Sequence, residues 1–395
     1  MHTFQNNTIA IVYHFFPHYR SAVNNALNQS KRYKYIFVGS EDSPSGSGIK
    51  VWEVPQNIQF INTKLYYLFG RVLIQSNVIR LALRHDIKAI IFLGSADFIT
   101  TWIAAFLARL TGKRVLFWTH GWTSIDKGIK RLFRLAFYRL AHSLLLYGHH
   151  AKQIGIKEGF KPENLHVIYN SLEYKAQVAT CRAIPEAELI AIRESLFGTK
   201  ANLPLLICTG RLVPMRQLDI LLDAMVQLEK QNYPINLLLI GDGPDISALE
   251  NQAKRQGLSV HFYGSCYNET VLSRLFMASD LMVMPGRIGL AAMHSLAYGI
   301  PVVVHDNPDD QGPEWESIIP GYNGAHFAHT DSKDLAKVLR LWLENKPDRK
   351  LMRERCHEIL TQFYNPITQA RLIERAVSGE PADDWDWKQF LERKE

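Results

Sequence analysis

Cysteine is scarce in this 395-residue chain, and the four present (Cys181, Cys208, Cys266 and Cys356) sit far apart without a Cys-x-x-Cys pair. That spacing excludes a disulfide framework and a structural zinc, and it fits a reducing compartment. Long apolar runs are missing too: no stretch approaches the roughly 20 residues that span a bilayer. The opening, MHTFQNNTIAIVYHFFPHYR, passes straight into a strand-like run without the regions of a signal peptide, so the expectation is a cytoplasmic protein. Low-complexity sequence is confined to SEDSPSGSG. With 47% hydrophobic and 21% charged residues, the chain is globular rather than disordered or fibrous. Its length suffices for two domains with separate cores.

Acidic residues are short in one half only. Residues 1–180 hold 22 Lys+Arg against 9 Asp+Glu, whereas the remainder holds 23 against 29. A basic first half points to an anionic surface, either membrane or nucleic acid.

What is present is an alternation of short apolar runs and longer helical patterns. The strand candidates are TIAIVYHF, YKYIFVG, AIIFLG, RVLFWTH, SLLLYG and LHVIYNS, then LPLLICTG, INLLLIGDGP, VHFYG, LMVMPG and IPVVVHD. RSAVNNALNQS, TTWIAAFLARLTG and PITQARLIERAV carry helical spacing. Apolar strands buried on both faces and separated by helices signal parallel sheets. The expectation is an α/β protein of two Rossmann-like domains, with a linker in EYKAQVATCRAIPEAE. Residues 1–178 and 179–365 would be the domains, and 366–395 a helix and tail crossing back to the first.

In such sheets ligands bind beyond the carboxyl ends of the strands. The loops there in the second half are TGRLVPMRQ, GDGPD, YGSCYN and PGRIGLAAMH, each with glycine. The last opens an expected helix over 290–298 without a side-chain cap. Its Gly289 and Leu290 amides, with Arg211 and Arg216, form an anion site suited to a diphosphate. Any one loop alone reads as an ordinary strand-to-helix turn; four together read as a nucleotide site.

These segments resemble the group-1 (family 4) GT-B glycosyltransferases. CTGRLVPMRQLDILLDAM resembles their phosphate-binding segment, LIGDGPDISALE their Gly-x-Gly-Pro turn, PGRIGLAAMHSLAYGIPVVV their donor-sugar loop and helix, and VIYNSLEY the end of their first domain. The resemblance implies a GT-B fold, two Rossmann-like domains facing across a cleft. It implies donor contacts from Gly210, Gly241, Gly243, Arg287, Gly289 and Leu290, with Arg211 and Arg216 neutralising the leaving diphosphate in place of a metal. No cofactor is expected beyond the nucleotide sugar as co-substrate. The family's paired donor glutamates are replaced here by Gly286 and His294, which leaves His294 a single hydrogen bond to a ribose hydroxyl. Glu314 matches the family's later carboxylate by its preceding proline and Glu316 by its distance to Gly321; both stay open.

The first domain would hold the acceptor, with His14, His18, Tyr19 and Arg20 in the loop after the first strand. His120, in FWTHGW, would touch the donor sugar by resemblance. KGIKRLFRLAFYRLAH sets Lys127, Lys130, Arg131, Arg134 and Arg139 among apolar residues, the pattern of a helix lying on anionic headgroups. No nucleic-acid module is visible. The function the resemblance implies is sugar transfer, with retention, to a glycan acceptor, lipid-linked glycans being common acceptors in the family. The rivals are a nucleotide-sugar 2-epimerase, for which Asp97 and Asp126 are the nearest first-half carboxylates, and a non-catalytic nucleotide- or carbohydrate-binding protein.

Overall fold

In the computed structural model the described residues are 7–43, 49–68, 72–345, 347–383 and 387–392. They divide into two compact units, residues 1–172 with 364–395, and residues 173–363.

In the first unit the strands are β1 (Thr8–Phe15), β2 (Lys34–Ser40), β3 (Gln59–Asn62), β4 (Leu65–Leu68), β5 (Val72–Gln75), β6 (Ile87–Leu93), β7 (Arg114–Thr119), β8 (Ser143–Leu146) and β9 (Leu165–Val167). Seven of them form one parallel sheet in the order β3-β2-β1-β6-β7-β8-β9, while β4 and β5 pair as a separate antiparallel ribbon. Around the sheet lie helices α1 (Ser21–Asn28), α2 (Val78–Ala82), α3 (Ile99–Leu110), α4 (Gly128–Tyr138) and α5 (His149–Lys157). β-branched and aromatic residues fill β1, β6 and β7, whose centres are fully buried, as a sheet covered on both faces requires.

The second unit begins with α6 (Lys175–Ala183) and α7 (Glu186–Phe197), so the segment expected to be a linker is helical. Its sheet contains β10 (Leu205–Thr209), β11 (Asn236–Ile240), β12 (Val260–Gly264), β13 (Leu281–Met284), β14 (Val302–His305) and β15 (Gly324–Phe327), ordered β12-β11-β10-β13-β14-β15 and parallel throughout. Helices α8 (Leu218–Lys230), α9 (Ile246–Gln256), α10 (Glu269–Ala278), α11 (Ala291–Ala297), α12 (Ser332–Glu344) and α13 (Arg349–Gln362) cover it.

Helix α14 (Pro366–Ser378) belongs to the first unit, where it packs on α1 and the sheet. Gln369 fixes it: buried, it donates to the Tyr169 carbonyl at 2.7 Å and accepts from the Ser171 hydroxyl at 2.6 Å. Asn365 caps the helix by accepting from the Thr368 amide. By contrast α8 and α11, which follow β10 and β13, begin without a side-chain cap. Their first amides are left for other partners.

Candidate functional site

Parallel pairing ends the strands of the second unit together. The register sets Thr209 beside Ile240, Ile240 beside Gly264 and Met284 beside Val304. The following loops therefore leave from one edge, and hydrogen bonds stitch them to one another. Leu212 N donates to Asp242 O at 2.9 Å, Gly241 N to Gly264 O at 2.8 Å, Gly286 N to Arg216 O at 2.9 Å and Arg287 N to Met215 O at 3.2 Å. Gln311 extends the series, accepting from Ile288 N at 2.9 Å and donating to His305 O at 3.4 Å.

So close an approach admits no side chain at three positions. A Cβ on Gly241 would strike the Gly210 carbonyl, one on Gly243 the Leu212 carbonyl, and one on Gly286 the Met215 carbonyl and the Arg216 backbone. Gly286 is thus the seat of the Pro214–Arg216 turn. Gly289 differs, since a Cβ there meets nothing within 4 Å. Its amide and that of Leu290 have no acceptor among the described residues.

The cations at this edge are held differently. Arg216 is half-buried and its Nη1 donates to the Arg287 carbonyl, while its Nε is buried without a partner. Burial lowers its pKa, yet a guanidinium stays charged at neutral pH. Arg211 is exposed and makes no ion pair among the described residues. Arg287 turns to Asp310, with Nη2 3.6 Å from Oδ1. The structure therefore brings Gly210, Arg216, Gly241, Gly243, Arg287 and Gly289 to one edge. α11 starts one residue after Leu290, slightly later than expected.

His294 projects from α11 toward α6 and α10. Its Nδ1 lies 3.0 Å from Gln177 Nε2 and 3.8 Å from Glu269 Oε1. Glu269 also accepts from Gln177 and from the Tyr298 hydroxyl. The His294 bond leads these contacts in holding the Glu269 carboxyl at about 2. Neither Gln177 nor Glu269 was legible as a partner in sequence, being 117 and 25 positions from His294. With Nδ1 engaged, only Nε2 is left for a ligand hydroxyl.

Glu314 and Glu316 share a buried 3-10 turn, Pro313–Ser317. A Cβ on Gly312 would lie against both the Ile288 carbonyl and Glu314 Oε2, so Glu314 reaches the donor-loop side. Nearby, His305, Asp310 and His329 bring one ligand-type atom each within 4.8 Å of the others. His305 Nδ1 accepts from Asn307 N at 3.2 Å, and His329 Nδ1 lies 3.3 Å from Asn307 Nδ2. The Asn307 oxygen is taken by Asp309 N. These bonds engage Nδ1 of both rings, while both Nε2 atoms are buried without a hydrogen-bond partner.

The first unit has a cavity of about 420 Å³ at the ends of β1, β6 and β7. His14, Tyr19, Arg20 and His120 line it together with Tyr13, Trp118 and Tyr147, which sequence reading passed over. His18 does not line it; its Nδ1 lies 3.2 Å from the Lys50 carbonyl. Burial, followed by the Arg20 charge, pushes the His14 pKa down to about 4, so this ring is neutral at pH 7.

The basic stripe is largely tied down. Asp126 takes Lys130 at 3.0 Å and Arg134 at 2.8 Å, and Glu158 takes Arg131 at 2.7 Å. Arg134 also donates to the Gly121 carbonyl at 3.2 Å, holding the turn after His120. Beside the exposed Lys130, α4 leaves apolar side chains in solvent: Ile129 is 85% accessible, with Leu132 and Phe133 beside it. Ile99, Ile103, Phe106 and Leu110 form a parallel exposed stripe on α3, and the Trp102 and Phe133 rings join the two helices at 4.8 Å.

Residues 194–358, nearly all of the second unit, match the family of glycosyl transferases group 1. The match covers 165 of the chain's 395 residues. A curated relative, the GDP-mannose-dependent alpha-(1-6)-phosphatidylinositol monomannoside mannosyltransferase of Mycolicibacterium smegmatis, is 26% identical over 166 residues, 39% of this chain and 42% of that one. The lipopolysaccharide core biosynthesis glycosyltransferase LpsE of Rhizobium meliloti is 28% identical over 192 residues, 47% and 53% of the two. The chain thus spans about half or less of the curated relatives it matches. The fold is shared over more: Anabaena HepE in complex with UDP superposes with a TM-score of 0.69 at 17% identity, covering 94% of this chain and 99% of that one. The lipopolysaccharide outer core galactosyltransferase WaaB gives 0.68 at 15%, with the same coverage. The architecture is therefore GT-B.

The packing separates two glycines of the donor loop. Gly286→Ala should unseat the Pro214–Arg216 turn, lowering stability by about 1–3 kcal/mol and weakening nucleoside diphosphate binding. Gly289→Ala should leave the melting temperature within a degree or two, because its Cβ meets open space. Thermal melts and UDP and GDP titrations of both variants check this.

Proposed function

We propose that this protein transfers a sugar from a nucleotide diphosphate sugar to a hydroxyl of a glycan acceptor, with retention and without a metal. The observation that carries the reading is the stitched edge of the second unit. There Arg216 is held against the Arg287 carbonyl, Arg211 is exposed in the same loop, and the Gly289 and Leu290 amides before α11 have no acceptor among the described residues. When the bond from the anomeric carbon to the phosphate oxygen breaks, the diphosphate gains charge. Fixed guanidinium groups and amides stabilise that charge more than the ground state, which is the main term available to lower the barrier. Arg216 is preorganised by its bond to the Arg287 carbonyl, so little reorganisation accompanies the step.

The remaining donor roles follow from position. Glu314 supplies a carboxylate for sugar or ribose hydroxyls, Arg287 adds a donor, and His294 offers Nε2 to the ribose. Glu316 stays in the turn. UDP is bound by the Anabaena neighbour and GDP-mannose is named for the mannosyltransferase, so both nucleotides belong in any screen. In the first unit His120 would meet the sugar being transferred, and His14, Tyr19 and Arg20 the acceptor.

The acceptor is proposed to be lipid-linked, the named relatives acting on phosphatidylinositol mannoside and lipopolysaccharide core supporting that class. No described helix is long and apolar enough to cross a membrane. The exposed α3–α4 face instead suits peripheral docking on anionic lipid: its apolar rows enter the headgroup boundary, and Arg109, Lys127 and Lys130 flank them. The contact is apolar in its centre and cationic at its rim.

Arg216→Ala and Arg211→Ala should each weaken UDP or GDP binding about tenfold or more and abolish transfer while leaving the fold intact, since a charge-assisted contact is worth about 1.5–3 kcal/mol. Titration calorimetry and product analysis check this; a variant that binds the diphosphate like the parent contradicts it. Epimerised donor formed without acceptor would point to the 2-epimerase instead.

Docking has its own test. Leu132→Asp with Phe133→Asp should release the protein from anionic vesicles more completely than Lys130→Glu, which removes a cation already paired with Asp126. Equal release by the two, or no sedimentation of the parent at low salt, contradicts the apolar contact.

A further inference from the structure

We infer that the first-unit pocket takes a sugar carrying an oxyanion, a carboxylate or a phosphate, seated against Arg20. The inference rests on reading that pocket as the acceptor site and names the chemistry of the acceptor.

Arg20 stands just before α1, at the end of a loop that is pinned on its far side. His18 N donates to Lys50 O at 2.9 Å and Trp52 N to Phe16 O at 2.7 Å. The guanidinium is caged rather than paired. Its Cζ lies 4.6 Å from the Tyr13 ring centre and 4.9 Å from that of Trp118. Nη1 donates to the Tyr13 hydroxyl at 2.5 Å and Nη2 to the Tyr147 hydroxyl, while Nε is buried without a protein partner.

No carboxylate lines the cavity, and among the described residues none pairs with Arg20. The other titratable groups facing it are tyrosines and the histidines His14 and His120, of which His14 is neutral at pH 7. The cavity therefore carries one uncompensated, largely desolvated positive charge. A protein interior tolerates such a charge only when something answers it, and here the aromatic faces and two hydroxyls do so without neutralising it.

The two hydroxyls accept from Arg20, which leaves their own protons to be donated. Hydroxyl donors backed by a full positive charge suit carboxylates and phosphates. The rest of the lining, Tyr13, Phe15, Tyr19, Trp118 and Tyr147, is ring surface that packs against the apolar face of a sugar. A volume of about 420 Å³ accommodates a single hexose with its acidic group. A neutral sugar would leave the charge unanswered.

The test uses the full chain and three probes, methyl β-glucuronide, glucose 6-phosphate and methyl β-glucoside, titrated by ligand-observed NMR with UDP and GDP as separate arms. The expected result is at least tenfold tighter binding of one acidic probe than of the glucoside, the arm that wins telling carboxylate from phosphate. Arg20→Gln should bring the acidic probe within about twofold of the glucoside, and Arg20→Lys should recover part of the preference. Nucleoside diphosphate affinity should stay at the parent's value in both.

Tyr147→Phe, which keeps the charge and removes one hydroxyl, should reduce the preference without abolishing it, and it serves where Arg20→Gln does not fold. A parent that shows no preference for an acidic probe overturns the inference. So does a tenfold loss of nucleoside diphosphate affinity in Arg20→Gln, which would assign the cation to the donor's phosphates. A parent that fails to bind UDP or GDP would instead strike at the glycosyltransferase reading, leaving the sugar comparison to be judged by itself.

Discussion

Everything at the candidate donor edge depends on one backbone contact, the pairing of the Pro214–Arg216 turn with residues 286 and 287. Two amide-to-carbonyl bonds close it, and the missing side chain of Gly286 gives it room. The same contact brings the Arg216 guanidinium to the Arg287 carbonyl. It also fixes the start of the loop that ends at Gly289 and Leu290. The cation and the free amides are thus positioned through one backbone contact, with the Gln311 side chain holding Ile288 N in the same loop. A side chain at 286 would relax all of it at once.

The two units handle positive charge in opposite ways. In the second, Arg216 is anchored through a carbonyl and Arg211 reaches solvent. In the first, Arg131 and Arg134 are absorbed by Glu158 and Asp126, and Arg134 also supports the turn carrying Gly121. The first half's excess of basic residues is therefore not a measure of its free charge. Arg20 is the exception, ringed by aromatic groups with no acid beside it. Apolar exposure on α3 and α4, which charge counting overlooks, carries the surface argument instead.

Most of the fold was legible because buried parallel strands must be continuous apolar runs. Each of the eleven runs read from sequence coincides with all or most of a strand, β1 spanning TIAIVYHF itself. The strands that escaped are β3, β4, β5 and β15, four residues each, two of them at sheet edges and two in a ribbon outside the main sheets. Short, partly exposed strands carry too little pattern to stand out. Residues 173–188 read as a linker because Pro185 and mixed polarity mask two helices that pack on α10 and α11. At the site, glycine-rich loops and Arg216 were visible because their chemistry is local. Gln311 was not, since its two bonds reach Ile288 and His305 from a loop that shows no motif. Nor was Glu269, which meets His294 only in the folded chain.

We propose that the edge of the second unit holds a nucleoside diphosphate on the amides of Gly289 and Leu290. Amide-resolved NMR of the isotope-labelled protein, titrated with UDP and GDP, tests it most directly. On saturation with the nucleotide that binds, these two amides should shift strongly and gain protection from hydrogen exchange, with the Arg216 Nε resonance moving alongside them. Saturable nucleotide binding that leaves all three unmoved would contradict the account.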